Sequence, residues 1–154
     1  MKKLVLVLLV LVFIGYVYAE EKYKITEVTQ SRSYSVVYLR ISPSTVTLPW
    51  QLTGETVNAV SAGGNKYPLA GCVPRGRLIV KAGIIIKKGA DNKSLALDIV
   101  TNGQDIQLLG GASRAPDSNE VGLAFRTEKG NIASLQIKIE GSKTIKIPVK
   151  KSNL

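Results

Sequence analysis

Any catalysis in this chain would have to be built without histidine, because the sequence contains none. No Ser-His-Asp or Cys-His arrangement can form within one chain, which removes the usual activation of a hydroxyl or thiol nucleophile. The single cysteine, Cys72, would need a cationic neighbour instead. Arg75 and Arg77 follow closely enough in sequence to lower its pKa, but no spacing supplies a base. One cysteine also excludes a zinc site of His and Cys ligands and an intramolecular disulfide. An odd cysteine in an exported chain reads as a buried thiol, a free thiol or an intermolecular bridge. Burial comes first, since reduced cysteine is among the most buried residue types.

Carboxylate catalysis needs two acids facing one site within about 10 Å. Glu120 and Glu128 share parity but stand at opposite ends of one predicted strand, which rises about 3.3 Å per residue. Asp98 interrupts an apolar strand and is expected to face solvent opposite a lysine of a neighbouring strand. Asn92-Lys93-Ser94 and Ser142-Lys143 bring serine and lysine together only at predicted turns, where a solvated lysine is no general base. No glycine-rich loop follows a strand and opens a helix, so nucleotide binding has no support. The expectation is a chain with no catalytic residues, no cofactor and no metal. Asn92-Lys93-Ser94 is also a glycosylation sequon, with Asn92 as acceptor in a surface turn.

The formal charge is +10, from 21 basic against 11 acidic residues. A basic balance suits an anionic polymer as partner, yet the charges scatter over many segments, as on a solvated surface. Tyr23 lies between Lys22 and Lys24, and Tyr34 and Tyr38 lie near Arg32 and Arg40. This interleaving is too loose to make a specific nucleic-acid motif. Trp50 belongs to an apolar set and reads as core before it reads as a sugar-stacking platform.

The elements that would position these residues are strands. Residues 1–19 read as a secretory signal peptide: Lys2 and Lys3, then the apolar run Leu4–Ile14, then Val17-Tyr18-Ala19 before a cut at Glu20. The apolar stretch is shorter than the ~20 residues a membrane-spanning helix needs, so contact with a membrane is expected only through this segment. Residues 20–154 suit a single domain. Period-2 patterning recurs at 34–41, 45–50, 77–88, 94–101, 120–127, 132–140 and 143–150, and each stretch has one face fit for a core. Asn102-Gly103 is the strongest hairpin signal and predicts separate strands at 94–101 and 104–109. Residues 61–76 and 110–120 read as loops. Many short strands with turn residues between them predict an all-β, antiparallel β-sandwich, immunoglobulin-like or jelly-roll-like, with seven to nine strands.

The stretch Arg77–Lys87 alternates most strongly. Leu78, Val80, Ala82, Ile84 and Ile86 form one apolar set. Ile79, Lys81, Gly83, Ile85 and Lys87 form the other, with Gly83 placed to bend the strand. Ile79 and Ile85 on the mixed face need cover, from this chain or another.

Two functions are compatible with these features. The first is an exported, non-enzymatic structural or interaction protein, a cell-surface or extracellular assembly subunit using strand-mediated contacts with itself or a surface protein. Its candidate contacts are Ile79, Ile85, Lys81 and Lys87, with Tyr23 and Ile25 on a donor or edge strand at 20–30. The second is a monomeric extracellular module binding an anionic or carbohydrate ligand through the two loops, with Lys66, Arg75, Arg77 and Arg114 as contacts.

Overall fold

A computed structural model describes residues 22–107, 114–141 and 143–154, with the backbone alone over 102–107. The export segment 1–19, the cut before Glu20 and residues 110–113 of the second loop lie outside the described residues. All strand pairs are antiparallel, as the period-2 pattern requires. The strands are β1 Tyr23–Ser31, β2 Tyr34–Ile41, β3 Trp50–Leu52, β4 Val57–Val60, β5 Lys66–Val73, β6 Ile79–Lys88, β7 Leu95–Gln107, β8 Glu120–Phe125, β9 Ser134–Lys138 and β10 Thr144–Pro148. The helical elements among the described residues are three short 3-10 turns, Pro43–Thr45, Lys129–Asn131 and Lys151–Asn153. No helix among the described residues is long and apolar enough to cross a membrane.

The expectation of seven to nine strands falls short because β5 lies inside the predicted loop 61–76. Its pattern was unreadable for a physical reason: β5 changes neighbours midway. Asn58 to Val60 of β4 pair with Lys66 to Pro68. A register shift between Leu69 and Gly71 then carries the strand against β8 and, at Gly71 and Cys72, against β6. Pro68 precedes the crossing, where β5 is paired on one side only, so its missing N–H breaks no ladder. The shared strand joins the order β1-β2-β8-β5-β4-β9-β10 to the β3-β6-β7 group. The result is one continuous ten-stranded sheet, curled on itself like a half-barrel.

Cross-strand partners share a face of the sheet. One row runs Val28, Val37, Leu123, Cys72, Ile79 and points to the concave side. There Val28, Val37 and Leu123 join Ile25, Leu39, Ile84, Ile86, Phe125, Leu135 and Ile137 in the main core, with Trp50 buried among them. The adjacent row runs Val36, Ala124, Gly71, Val80 and points outward. Val36, Ala124 and Val80 form a second cluster with Tyr38, Val73 and Leu78. The sheet around β2 and β8 is therefore buried on both faces, and all six residues of β8 are buried.

This two-sided burial alters the reading of β6. The five apolar residues Leu78, Val80, Ala82, Ile84 and Ile86 are all buried, but not on one face. The register shifts between Val80 and Ala82, and Lys81 takes a left-handed backbone with φ of 57°. A bulge of this kind turns every later side chain to the other face. Leu78 and Val80 thus enter the outer cluster, while Ile84 and Ile86 enter the main core. Ile79 and Ile85 accordingly lie on opposite sides of the sheet. Gly83 is not the bend; its missing Cβ makes room for the Leu52 carbonyl oxygen, which a side chain would approach to 2.8 Å. Left-handed backbone costs a non-glycine residue about 1 kcal/mol. Lys81→Gly is therefore expected to stabilise the fold by up to about 1 kcal/mol in urea unfolding, and a loss of stability would contradict this account of the bulge.

The hairpin expected at Asn102-Gly103 does not form. β7 continues past it along β6, with Thr101 opposite Ala82 and Ile106 opposite Val80. The intervening residues are taken up opposite the Lys81 bulge. The stretch 45–50 also yields less strand than expected: Pro43–Thr45 is a 3-10 turn and only Trp50–Leu52 pairs.

Candidate functional site

The concave side opens at the corner between β5, β6 and β7. A cleft of about 830 Å³ lies there, walled by Ile79, Leu95, Leu97 and Ile99, with Pro74, Arg75, Arg77 and the carboxylate residue Asp98 also among its lining. Its geometry follows from local features. The 74–77 turn has Gly76 at φ of 84°, where an added Cβ would lie 3.5 Å from the Ala115 Cβ, and it carries exposed Arg75 and Arg77 into β6. On the opposite wall, Leu97 and Ile99 pair with Ile86 and Ile84, so these β7 side chains share the core face and run out of cover towards the strand's free side. Asn119 fixes the start of β7. Its Oδ1 accepts from the Leu95 amide at 3.2 Å, while its backbone carbonyl accepts from the Ile41 amide at 2.9 Å. That clip ties β7 to the end of β2 and helps hold the sheet in its curl.

β7 is also an edge. Among the described residues it pairs with β6 alone. Ile99 and Val100, on its two faces, are each 41% exposed. Other edges are shorter or covered. The β1 edge receives a hydrogen bond from Asn153 Nδ2 to the Ile25 carbonyl, and β10 is short and ends in Pro148. Asp98 faces out from β7 and meets Lys87 Nζ at 3.0 Å, which is the lysine partner its position implied.

Several predicted contacts are engaged elsewhere. Arg114 serves the fold: its Nε donates to Glu27 Oε2 and its Nη1 to Glu120 Oε1, both at 2.6 Å. Its guanidinium stacks 3.8 Å from the centre of the Tyr38 ring, and the Tyr38 hydroxyl donates to the Arg114 carbonyl. This charge is neutralised internally and is a poor ligand contact. Glu120 is fully buried at its side chain. Burial alone pushes its pKa up, but hydrogen bonds from Arg114, Thr26 and the Asp117 amide outweigh that and hold the carboxyl below its ordinary value. The two carboxylates raise the Arg114 pKa further, against the opposing effect of desolvation.

Ile25 is core, not contact surface. Residues 23–31 are a complete strand of this chain's own sheet, and a register shift between Ile25 and Glu27 turns both Ile25 and Val28 inward. Tyr23 is half-buried against that core. Lys66 opens β5 at the end opposite the 74–77 turn, so the structure does not bring it to Arg75 and Arg77. Ile79 does join those two arginines, in the cleft. Ile85 lies on the outer face between Gln51 and Asp98, half-buried, with Lys81 and Lys87 exposed on the same strand.

Cys72 is buried and unpaired, and burial pushes its thiol up to about 11, so it is a protonated packing residue rather than a nucleophile. Asn92 sits exposed in the Gly89–Ser94 turn with φ of 57°, where a glycan would meet no packing. Leu95, Leu97 and Ile99 were legible only as core; that they reach an open edge depended on strand order. Among the described residues no cluster of three or more potential metal ligands occurs. No protein-family model, no curated protein and no solved structure matches this chain.

Proposed function

We propose that this protein is an exported, non-enzymatic interaction protein, a cell-surface or extracellular assembly subunit that self-associates through the edge of β7. Residues 1–19 act as its cleaved export signal. The curled sheet is read as a sandwich of the immunoglobulin-like or jelly-roll-like kind, with β1-β2-β8 and β4-β9-β10 facing across the core. The observation that carries the functional reading is the long β7 edge, which has backbone groups for a partner strand and apolar side chains on both faces. A second copy is the favoured partner for two reasons. A strand edge meeting its own copy antiparallel closes a two-fold dimer. In addition, Leu95–Val100 carries one charge, Asp98, already paired with Lys87, so the contact avoids the repulsion expected between two processed chains, each +8 once Lys2 and Lys3 leave with the signal.

The test is the solution mass of residues 20–154. The parent should be a dimer or larger, and Ile99→Lys with Val100→Lys should be monomeric, because lysine on an edge blunts strand addition. A monomeric parent would sink the reading. That outcome would favour the second one, a monomeric module for an anionic or carbohydrate ligand. Its support is Arg75 and Arg77, which have no ion-pair partner among the described residues and line the cleft beside its aliphatic residues.

A further inference from the structure

A second surface stands apart from β7, and the inference drawn from it does not rest on self-association. β1 and β10 approach each other without pairing. Along their seam lie two depressions of about 290 and about 310 Å³ that share Lys22 and Tyr23 as lining residues. They adjoin at Lys22 and Tyr23, and the two halves are taken together as one groove. Its floor is apolar: Ile147 and Pro148 lie on one side of Tyr23, and Trp50 and Ile145 on the other. Lys24 and Lys150 flank the first half, and Lys143 flanks the second, where Glu140 is the one carboxylate among the lining residues. None of the four lysines has an ion-pair partner among the described residues.

We propose that this groove binds an acidic polysaccharide, a chain of sugar rings bearing carboxylates or sulfates. Sugar rings present apolar C–H faces that suit the Tyr23 ring and Pro148, while their anionic substituents reach the lysines at the rims. Lysine is a compact charge on a flexible stem and tolerates anions at varied positions, whereas arginine favours a planar fork. Single-stranded nucleic acid fits less well. Binding there stacks successive bases on several aromatic rings, and Tyr23 is the one groove aromatic that is not buried. A lipid surface fits less well because the lysines border a recess.

Titrate residues 20–154 with polygalacturonate, with neutral dextran, phosphatidylserine vesicles and a single-stranded oligonucleotide in parallel. Polygalacturonate should bind and the affinity should fall as salt rises. Lys24→Glu with Lys150→Glu should weaken binding on the order of tenfold. Arg75→Glu with Arg77→Glu changes net charge by the same amount at the cleft and should leave affinity within about twofold of the parent. Tyr23→Ala, at unchanged charge, should also weaken binding, with retained fold checked by circular dichroism. Equal losses in the two charge variants would overturn the groove in favour of net charge. Loss in the arginine variant alone would move the site to the cleft. Tighter binding of vesicles or oligonucleotide than of polygalacturonate, or no polygalacturonate binding, would also overturn the proposal.

Discussion

Arg114→Ala should destabilise the protein by about 3 kcal/mol at neutral pH, the cost of leaving a buried carboxylate without its cation. Glu120 is the residue left stranded. Its side chain has no exposure, and after the substitution only the Thr26 hydroxyl and the Asp117 amide still donate to it. The change also removes the stack on Tyr38, so pH is used to separate charge from packing. Glu120 has a lowered pKa in the native protein. Its contribution is therefore complete above the ordinary value of 4.5 and is lost as pH falls from there through the native value. In the variant the carboxyl loses the cation that keeps it ionised, and protonation relieves its burial. The stability curves of parent and variant should converge as pH falls below 4.5. Urea unfolding at neutral and acidic pH measures this. A deficit that stays constant with pH would assign the role of Arg114 to packing on Tyr38 instead.

Gly71→Ala should cost about 3 kcal/mol, a drop of roughly 10 °C in Tm for a domain of this size. A Cβ at this position would lie 2.3 Å from the Ile79 carbonyl oxygen and 3.0 Å from the Val80 α-carbon. Both are backbone atoms, so no side-chain rotation relieves the clash. The strand pair at stake is short: β5 meets β6 only at Gly71–Val80 and Cys72–Ile79. Parting them would also shift Ile79 and the 74–77 turn, and with them the cleft. Gly130→Ala is the control, because nothing lies within 4 Å of its added Cβ, and it should change stability by less than about 0.5 kcal/mol. Similar losses in both variants would show that the Gly71 effect is not steric.

Both effects arise where the chain departs from simple alternation, and those departures are where sequence and structure part company. Alternation in 34–41 was legible and is β2 without a shift in its boundaries. It could not disclose that Val36 and Tyr38 face a second cluster while Val37 and Leu39 face the main core. An apolar residue on each face reads equally as a strand needing a partner. In β6 the bulge at Lys81 left the apolar run intact in sequence while reversing its sense in space. β5 escaped notice because Pro68 and Gly71 are loop residues by type, yet here they serve the change of neighbours. The outer-face cover was likewise hidden, since Glu27, Arg114 and Glu120 converge on Tyr38 from distant parts of the chain.

By itself, the sequence determined the class of fold and the reach of its chemistry. Side chains alternate along any strand, so period-2 patterning needs no tertiary information to indicate β structure. A missing histidine and a lone cysteine remove the usual nucleophile activation whatever the topology. Only tertiary structure decided which apolar residues were core and which were edge. Burial on a sheet depends on which strand lies alongside, and the register shifts at Lys81 and Ala70 change that assignment without leaving a mark in composition.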